Sequence, residues 1–521
     1  MKEVSPGKST RKWWALGALS LAVMAVSLDS TVLSVALPTL STVFKASESD
    51  LQWFTSGYLL VLAAAMLPAG LIGDRFGRKR LLLASLALFG LGSAACALSA
   101  TTGEFIAARM ALGLAGAAIV VMVLAAFTVL FTDEERPKAI GVWAAANFLA
   151  LPIGPILGGW MLTHFWWGWV FLINIPVAAI GLVVAAFLVP ESRAGERPGM
   201  DPGGVVLSTV GLVALVYGFI RAGEYGWSDA PALAAIAAGA VLLIGFYLYE
   251  RRLGTRPGGK PLIDVGLFKY PSYTWGVVLA AVAGLAMIGS LFTMPQFFQG
   301  VLGEDALGSG LRLLPLVGGL LLGTIPAAWI AKTLGAKTTA AAGFVLLGLG
   351  MGVGTLTTIT SGTVFLGVWM ALVGAGMGLV MVTASSAALS QLDADRSGVG
   401  SAVLQAVSKI GAPLGAAILG SVLRTVYQSG LDNHGLAPAV ATAARQSVFA
   451  GVAVAQQLSP AAVDAVRTSF TNGITAALWV SVAISAVGLV LALLFMPRTM
   501  ACRDKLEASE GEEAGLVIGD T

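Results

Sequence analysis

Histidine and cysteine are nearly absent: the 521 residues include two of each, His164 and His434, Cys96 and Cys502. So few ligands exclude paired His or Cys metal sites, and no Ser/His/Asp arrangement can be drawn with only these two histidines. A GxxxxGK[ST] phosphate loop is also missing, so the chain carries no nucleotide-hydrolysing element of its own. Charge is scarce too, at 11% Asp, Glu, Lys and Arg against 57% hydrophobic residues. So little polar surface cannot cover a soluble globule of this length. These absences exclude an enzyme, a metal centre and a soluble sensing domain, and they imply no cofactor.

What is present is a series of apolar segments joined by short polar loops. A helix crosses hydrocarbon in roughly 20 residues, and by that measure twelve spans follow from hydropathy, with two more near 204–221 and 231–249, fourteen in all. The segment from Trp13 to Leu40 follows a basic start that resembles a signal peptide, but it is too long and carries Asp29, so it reads as an uncleaved first span. With both termini cytoplasmic, most of the 31 Lys and Arg fall on the inner side, among them Arg75, Arg78, Lys79, Arg80, Arg251, Arg252, Arg256 and Lys260. The net charge of +3 reflects this bias, so it implies topology and not nucleic-acid binding, and the apolar spans make the lipid bilayer a partner. Cys96 and Cys502 then lie toward opposite faces and cannot bridge.

The chain repeats itself at an offset of about 260 residues. Pro68 to Asp74 falls on Pro326 to Lys332, Phe105 to Gly116 on Phe365 to Gly376, and Ala150 to Gly159 on Gly411 to Gly420. Three matches in one order point to two six-helix halves. The expected organisation is a cytoplasmic tail 1–12, an N-terminal half 13–190, two inserted helices 202–250, a cytoplasmic linker 251–272, a C-terminal half 273–496 with an external loop 425–470, and a cytoplasmic tail 497–521. Two such halves, related by an axis along the membrane normal, place a small-molecule site near the midplane and expose it by rocking, which implies transport. The copies differ in charge: Asp74 becomes Lys332, Arg109 becomes Trp369, and Asp29 falls near Met287. Ion coupling is therefore expected in the first half.

Gly70-Leu71-Ile72-Gly73-Asp74-Arg75-Phe76-Gly77-Arg78-Lys79-Arg80 resembles the loop signature of the major facilitator superfamily. Together with Leu28-Asp29-Ser30-Thr31-Val32, Ala36-Leu37-Pro38, Gly154-Pro155 with Gly158-Gly159, and Trp169 to Pro176, the chain is similar to the fourteen-helix drug/proton antiporter branch over nearly its whole length. That resemblance implies an all-α membrane protein of the cytoplasmic membrane. It implies export of drugs or other small amphipathic compounds, driven by the proton gradient, by a chain working as a monomer. Export rather than uptake is imported from the family through the Gly154-Pro155 pattern.

The residues support roles on their own chemistry. Asp29 is the one carboxylate placed well inside hydrocarbon, and an acid there is a functional site by default. Arg109, near the outer start of span four, can reach it with a long guanidinium, giving either a pair that separates during the cycle or a static structural one. Gly70, Gly73 and Gly77 allow close helix approach beside Asp74, Arg75 and Arg78, which together form a conformational latch; the plainer alternative is a topology determinant. Gly154, Pro155, Gly158 and Gly159 remove side chains and one backbone donor from span five, permitting a kink or simply tight packing. Asn147, Gln296, Gln299, Gln405 and Lys409 are candidate cavity residues. Related antiporters for lipophilic cations often carry acids in span thirteen, where this chain has Gln405 and Lys409. Two readings of Lys409 stand: it favours anionic, zwitterionic or neutral substrates, or it pairs with Asp29 across the cavity. A dedicated exporter of an endogenous metabolite, antibiotic or lipid is the alternative function. Trp166, Trp167 and Trp169 read as interfacial anchors, and Arg312 as a snorkelling residue.

Overall fold

The computed structural model describes residues 6–132, 135–193, 201–256, 261, 265–390, 394–433 and 437–497. Regular structure among them is helical. Helix α1 runs Pro6–Phe44, α2 Glu48–Phe76, α3 Arg78–Leu98, α4 Thr102–Leu130 and α5 Arg136–His164. A short turn, α6 Trp169–Leu172, precedes α7 Asn174–Leu188; then come α8 Pro202–Tyr225 and α9 Ala230–Thr255. The second half holds α10 Pro271–Gln296, α11 Ala306–Arg312, α12 Leu314–Leu334, α13 Ala336–Gly354, α14 Thr363–Leu389 and α15 Ala394–Asn433. The chain ends with α16 Pro438–Gln446, α17 Val448–Ala455 and α18 Pro460–Phe495.

Thirteen helices among the described residues are long and apolar enough to cross a membrane. The 29-residue α5 lies outside that set, since several of its side chains are not described. Fourteen spans are consistent with this arrangement. The face where α2 ends and α3 begins carries Arg75, Arg78, Lys79 and Arg80 and is called the basic face here.

The repeat is visible in the packing: α2 lies on α4 as α12 lies on α14, α3 on α4 as α13 on α14, and α1 on α5 as α10 on α15. Each half has its own core. Trp369, at the repeat position of Arg109, is completely buried among apolar residues of the second half. The inserted helices α8 and α9 pack on each other, and α8 also rests on α2 and α15.

Helices run further than the hydropathy suggests. The loop expected over 425–470 is shorter, because α15 continues to Asn433 and α18 begins at Pro460. Leu423, Tyr427 and Leu431 recur every fourth residue and are all buried, with Tyr427 edge-on to Phe470 at 5.4 Å, so the two helices stay paired past the apolar stretch. Between them, α16 and α17 bury Val440, Ala444, Val448 and Val452. Helix α17 touches both α1 and the π-helical turn Phe297–Val301 that ends α10, so this small cap sits across the seam between the halves. Likewise α1 starts at Pro6, inside the expected tail 1–12, and α9 extends to Thr255, into the expected linker 251–272. The tail from 498 onward, Lys260 and His434 lie outside the described residues.

Close helix contacts are made by glycine. A Cβ on Gly350 would stand 2.8 Å from the Val373 side chain and 2.9 Å from the Trp369 carbonyl oxygen, whereas one on Gly352 would meet nothing within 4 Å. We expect Gly350→Val to destabilise the protein by about 1–3 kcal/mol through overpacking, and Gly352→Ala to be neutral or to stabilise it by up to about 1 kcal/mol. Thermal unfolding of the two variants in detergent checks this, and equal midpoints would contradict it.

Candidate functional site

The candidate site is built at the meeting of α1, α2, α4 and α7. Gly113, one turn along α4 from Arg109, leaves a would-be Cβ only 2.5 Å from the Tyr58 carbonyl oxygen. That close approach of α4 to α2 carries the Arg109 side chain over the Tyr58 ring, its guanidinium carbon 4.2 Å from the ring centre. The guanidinium then meets Asp29, forming a hydrogen-bonded ion pair in which Nη1 donates to Oδ2. Arg109 Nε also donates to the Phe54 carbonyl oxygen at 3.3 Å.

The other carboxylate oxygen accepts from Asn174 Nδ2 at 3.3 Å. Asn174 opens α7 just after the break at Ile173, which directs a polar side chain inward at the helix start. Tyr58 closes the arrangement by donating its hydroxyl to the Val26 carbonyl oxygen at 3.0 Å. Asp29 is 2% exposed and Arg109 0%. At that burial an unpaired charge would be costly, and the pair with its added hydrogen bonds offsets the lost hydration.

Toward the face opposite the basic one, the pair is covered by rings. Phe105, one turn before Arg109, packs against Phe54 at 4.6 Å, Phe44 at 5.3 Å and Phe171 at 5.4 Å. Trp167 adds a further edge to Phe44 at 5.5 Å. It therefore turns inward, unlike Trp166 and Trp169, which are about half exposed at the boundary as expected for anchors. Arg312 is paired with Glu304 at 2.5 Å rather than free to snorkel.

The loop expected to form the latch joins the end of α2 to the start of α3. Asp74, in the last turn of α2, pairs at 2.8 Å with Arg78, the first residue of α3. Gly77 has φ +121°, a conformation that an L side chain resists. It lets Glu191, beyond α7, come close enough to accept from Lys79 N at 3.2 Å and to pair with Arg80 at 3.6 Å. Gly73 has no room for a Cβ against Met122 of α4, while Gly70 faces Val121 at ordinary contact distance. Arg75 lies over the Phe76 ring at 5.6 Å.

On α5 the glycines meet two partners. Gly154 and Gly158 pack directly on Thr31 and Val32 of α1, and Thr31 Oγ1 donates to the Ala150 carbonyl oxygen at 3.3 Å. Gly159 lies against Ala306 and Leu307, and Gly310 against Pro155, which joins the two halves at the end away from the basic face.

Gln296 and Gln299 belong to that same joined end. Gln299 Nε2 donates across the halves to the Val35 carbonyl oxygen at 3.0 Å, and Gln296 is completely buried. Lys409 is exposed. It lies eleven residues, three helical turns, from Gly420, so both occupy one face of α15, and Gly420 packs on Gln52 of α2. Lys409 thus lies on the face of α15 that meets the first half. It forms no ion pair with Asp29, whose carboxylate is held by Arg109 and Asn174. The side chains of Asn147 and Gln405 lie outside the described residues.

The sequence reading brought Asp29 and Arg109 together but assigned no role to Asn174 or Tyr58. Asn174 lies within the Trp169 to Pro176 stretch, where an amide before Ile175-Pro176 in an apolar span is the available signal. Tyr58 carried none, since a tyrosine in such a helix is ordinary.

The family model of the Major Facilitator Superfamily matches residues 19–416. The chain is 33% identical over 490 residues to the multidrug efflux pump LfrA of Mycolicibacterium smegmatis, covering 92% of this chain and 96% of that one. It is 33% identical over 419 residues to the tetracenomycin C resistance and export protein of Streptomyces glaucescens, covering 80% and 77%. Among solved structures, a bacterial homolog of the human lysosomal transporter Spinster shares the fold with TM-score 0.65 at 17% identity, covering 95% of this chain and 98% of that one. A repeat of two six-helix halves, a buried acid and basic pair in the first, and these relatives agree: the chain belongs to the major facilitator superfamily, as a multi-pass membrane transporter related to drug and antibiotic efflux proteins.

Proposed function

We propose that this protein exports small amphipathic organic compounds in exchange for protons, alternating between inward-open and outward-open states, with the basic face and both termini in the cytoplasm. The observation that carries the reading is the asymmetry at one repeat position. Arg109 holds a buried carboxylate in the first half, while Trp369 fills the matching place in the second with apolar volume. A carboxylate kept dry by an aromatic cover and held by two donors is suited to change partner only when the helices around it move.

In the cycle, a proton reaching Asp29 in the outward-open state removes its charge and releases Arg109. Rearrangement of α1 against α4 then favours substrate release, and return to the inward-open state frees the proton to the cytoplasm. A charge moved through 100 mV is worth about 2.3 kcal/mol, enough to bias such a cycle more than tenfold. The energy source is the proton gradient, and no cofactor takes part.

Substrate charge is read from Lys409. An exposed ammonium on the face of α15 turned to the first half favours anionic, zwitterionic or neutral compounds. The tetracenomycin exporter and the efflux pump among the relatives support export of an antibiotic or drug. A dedicated exporter of an endogenous product uses the same machinery and differs only in its substrate.

Purified Asp29→Asn in liposomes should lose proton-driven substrate exchange by at least roughly tenfold while still binding substrate, read by a pH-sensitive dye and labelled compound together. Exchange equal to the parent would overturn the coupling role. For Lys409→Ala, the ratio of cationic to anionic compounds taken up by inverted vesicles should rise by roughly fivefold, the effect of about 1 kcal/mol from one nearby charge. An unchanged ratio would remove Lys409 from substrate selection.

A further inference from the structure

A second buried constellation of charge lies away from the Asp29 site, on the seam between the halves. Glu48, in the first turn of α2, is 2% exposed, and Arg424 of α15 is 7% exposed. Neither Glu48 carboxylate oxygen, nor Arg424 Nε or Nη1, has a hydrogen-bond partner among the described residues. Arg424 and Gln296 lie near enough to Glu48 to act on its charge.

The register of the two helices explains the placement. Helices α2 and α15 cross the protein in opposite directions, and Gln52 meets Gly420, where a Cβ would stand 2.8 Å from Gln52 Cδ. One turn away from the basic face, about 6 Å along each helix, α2 reaches Glu48 and α15 reaches Arg424. Opposite charges from the two halves therefore stand at one level. Gln52 is 0% exposed, and among the described residues neither of its amide atoms nor Gln296 Oε1 has a hydrogen-bond partner.

Packing alone does not account for such a cluster. A buried carboxylate and guanidinium in apolar surroundings cost more than an apolar pair of similar volume, and leaving their polar atoms unpaired raises that cost. A seam that opens to water changes the balance, because both groups regain hydration when the halves part. Neighbouring contacts mark this end as the joined one: Gln299 bonds to Val35, Gly159 meets Ala306, and α17 crosses to α1.

We propose that Glu48 and Arg424 are positioning residues of the transport cycle, an external gate that holds the outer ends of the two halves together in the inward-open state and opens by separation and hydration of the two charges. Gln52 and Gln296 flank the pair. This inference rests on the alternating-access reading given above.

The test is distance measurement between spin labels in reconstituted full-length protein, with Cys96 and Cys502 replaced by serine. Labels at Leu98 and Leu356, exposed at the outer ends of the two halves, report the gate, and labels at Phe187 and Leu334 report the inner ends. A pair within the first half, Leu98 with Phe187, verifies that each variant keeps its fold. In the parent, outer and inner distances should each show two populations that vary in opposite senses. Glu48→Gln and Arg424→Gln should each raise the long-distance outer population by roughly threefold or more, and the exchange E48R/R424E should bring it back toward the parent value. The gate is overturned if the parent interconverts but neither single variant moves the outer population, or if the exchange fails to restore it in protein whose within-half distance is unchanged. Should neither single variant keep the within-half distance, the pair is structural and the gate is likewise overturned. A parent with one fixed distance at both ends would instead overturn alternating access itself.

Discussion

The rest of the site depends on one constraint: a carboxylate and a guanidinium that share a place without water. Asp29 and Arg109 are tolerable there because each neutralises the other, and Asn174 and the Phe54 carbonyl take up further bonding capacity. Everything near the pair serves that condition. Gly113 brings α4 close enough for the guanidinium to arrive, Tyr58 supplies a ring for it to lie on, and Phe105 with Phe44, Phe54 and Phe171 covers it. Remove the dryness and the pair becomes an ordinary hydrated one with little hold on its helices.

The halves divide the work. The first keeps the paired charges in its centre, and the second fills the equivalent position with Trp369 and a continuous apolar core. At the joined end the charges are spread over both halves, with Glu48 contributed by one and Arg424 by the other. Chemistry that concerns one helix bundle is thus kept within it, and chemistry that concerns their relative position lies between them.

Much of the fold was legible in the residues. Long apolar runs gave the spans, and the 260-residue offset gave the two halves, because both depend on local patterns that survive in any packing. Asp29 was legible because an acid in hydrocarbon has few explanations. The length of α15 and α18 was not, since hydropathy falls where a helix leaves lipid although its Leu423, Tyr427 and Leu431 stripe continues. Asp74 and Arg78 were legible together, four residues apart in one motif, but Glu191 was not: only the fold brings it to the Lys79 amide and Arg80. The Glu48 and Arg424 cluster was invisible for a related reason. Each lies near a helix end that reads as solvent-exposed, and only the crossing of α2 over α15 makes them neighbours in a dry place.

The seam between α12 and α14 is built from Gly319, Gly323, Gly374 and Gly378, whose missing side chains leave backbone directly against backbone. A contact of that kind has no rotamers to freeze, so forming it draws nothing from side-chain entropy, and warming gives it no side-chain disorder to gain. Where these glycines meet the facing helix, closeness of fit is what they contribute. The pair of helices is accordingly held by a surface that has little to lose in being ordered.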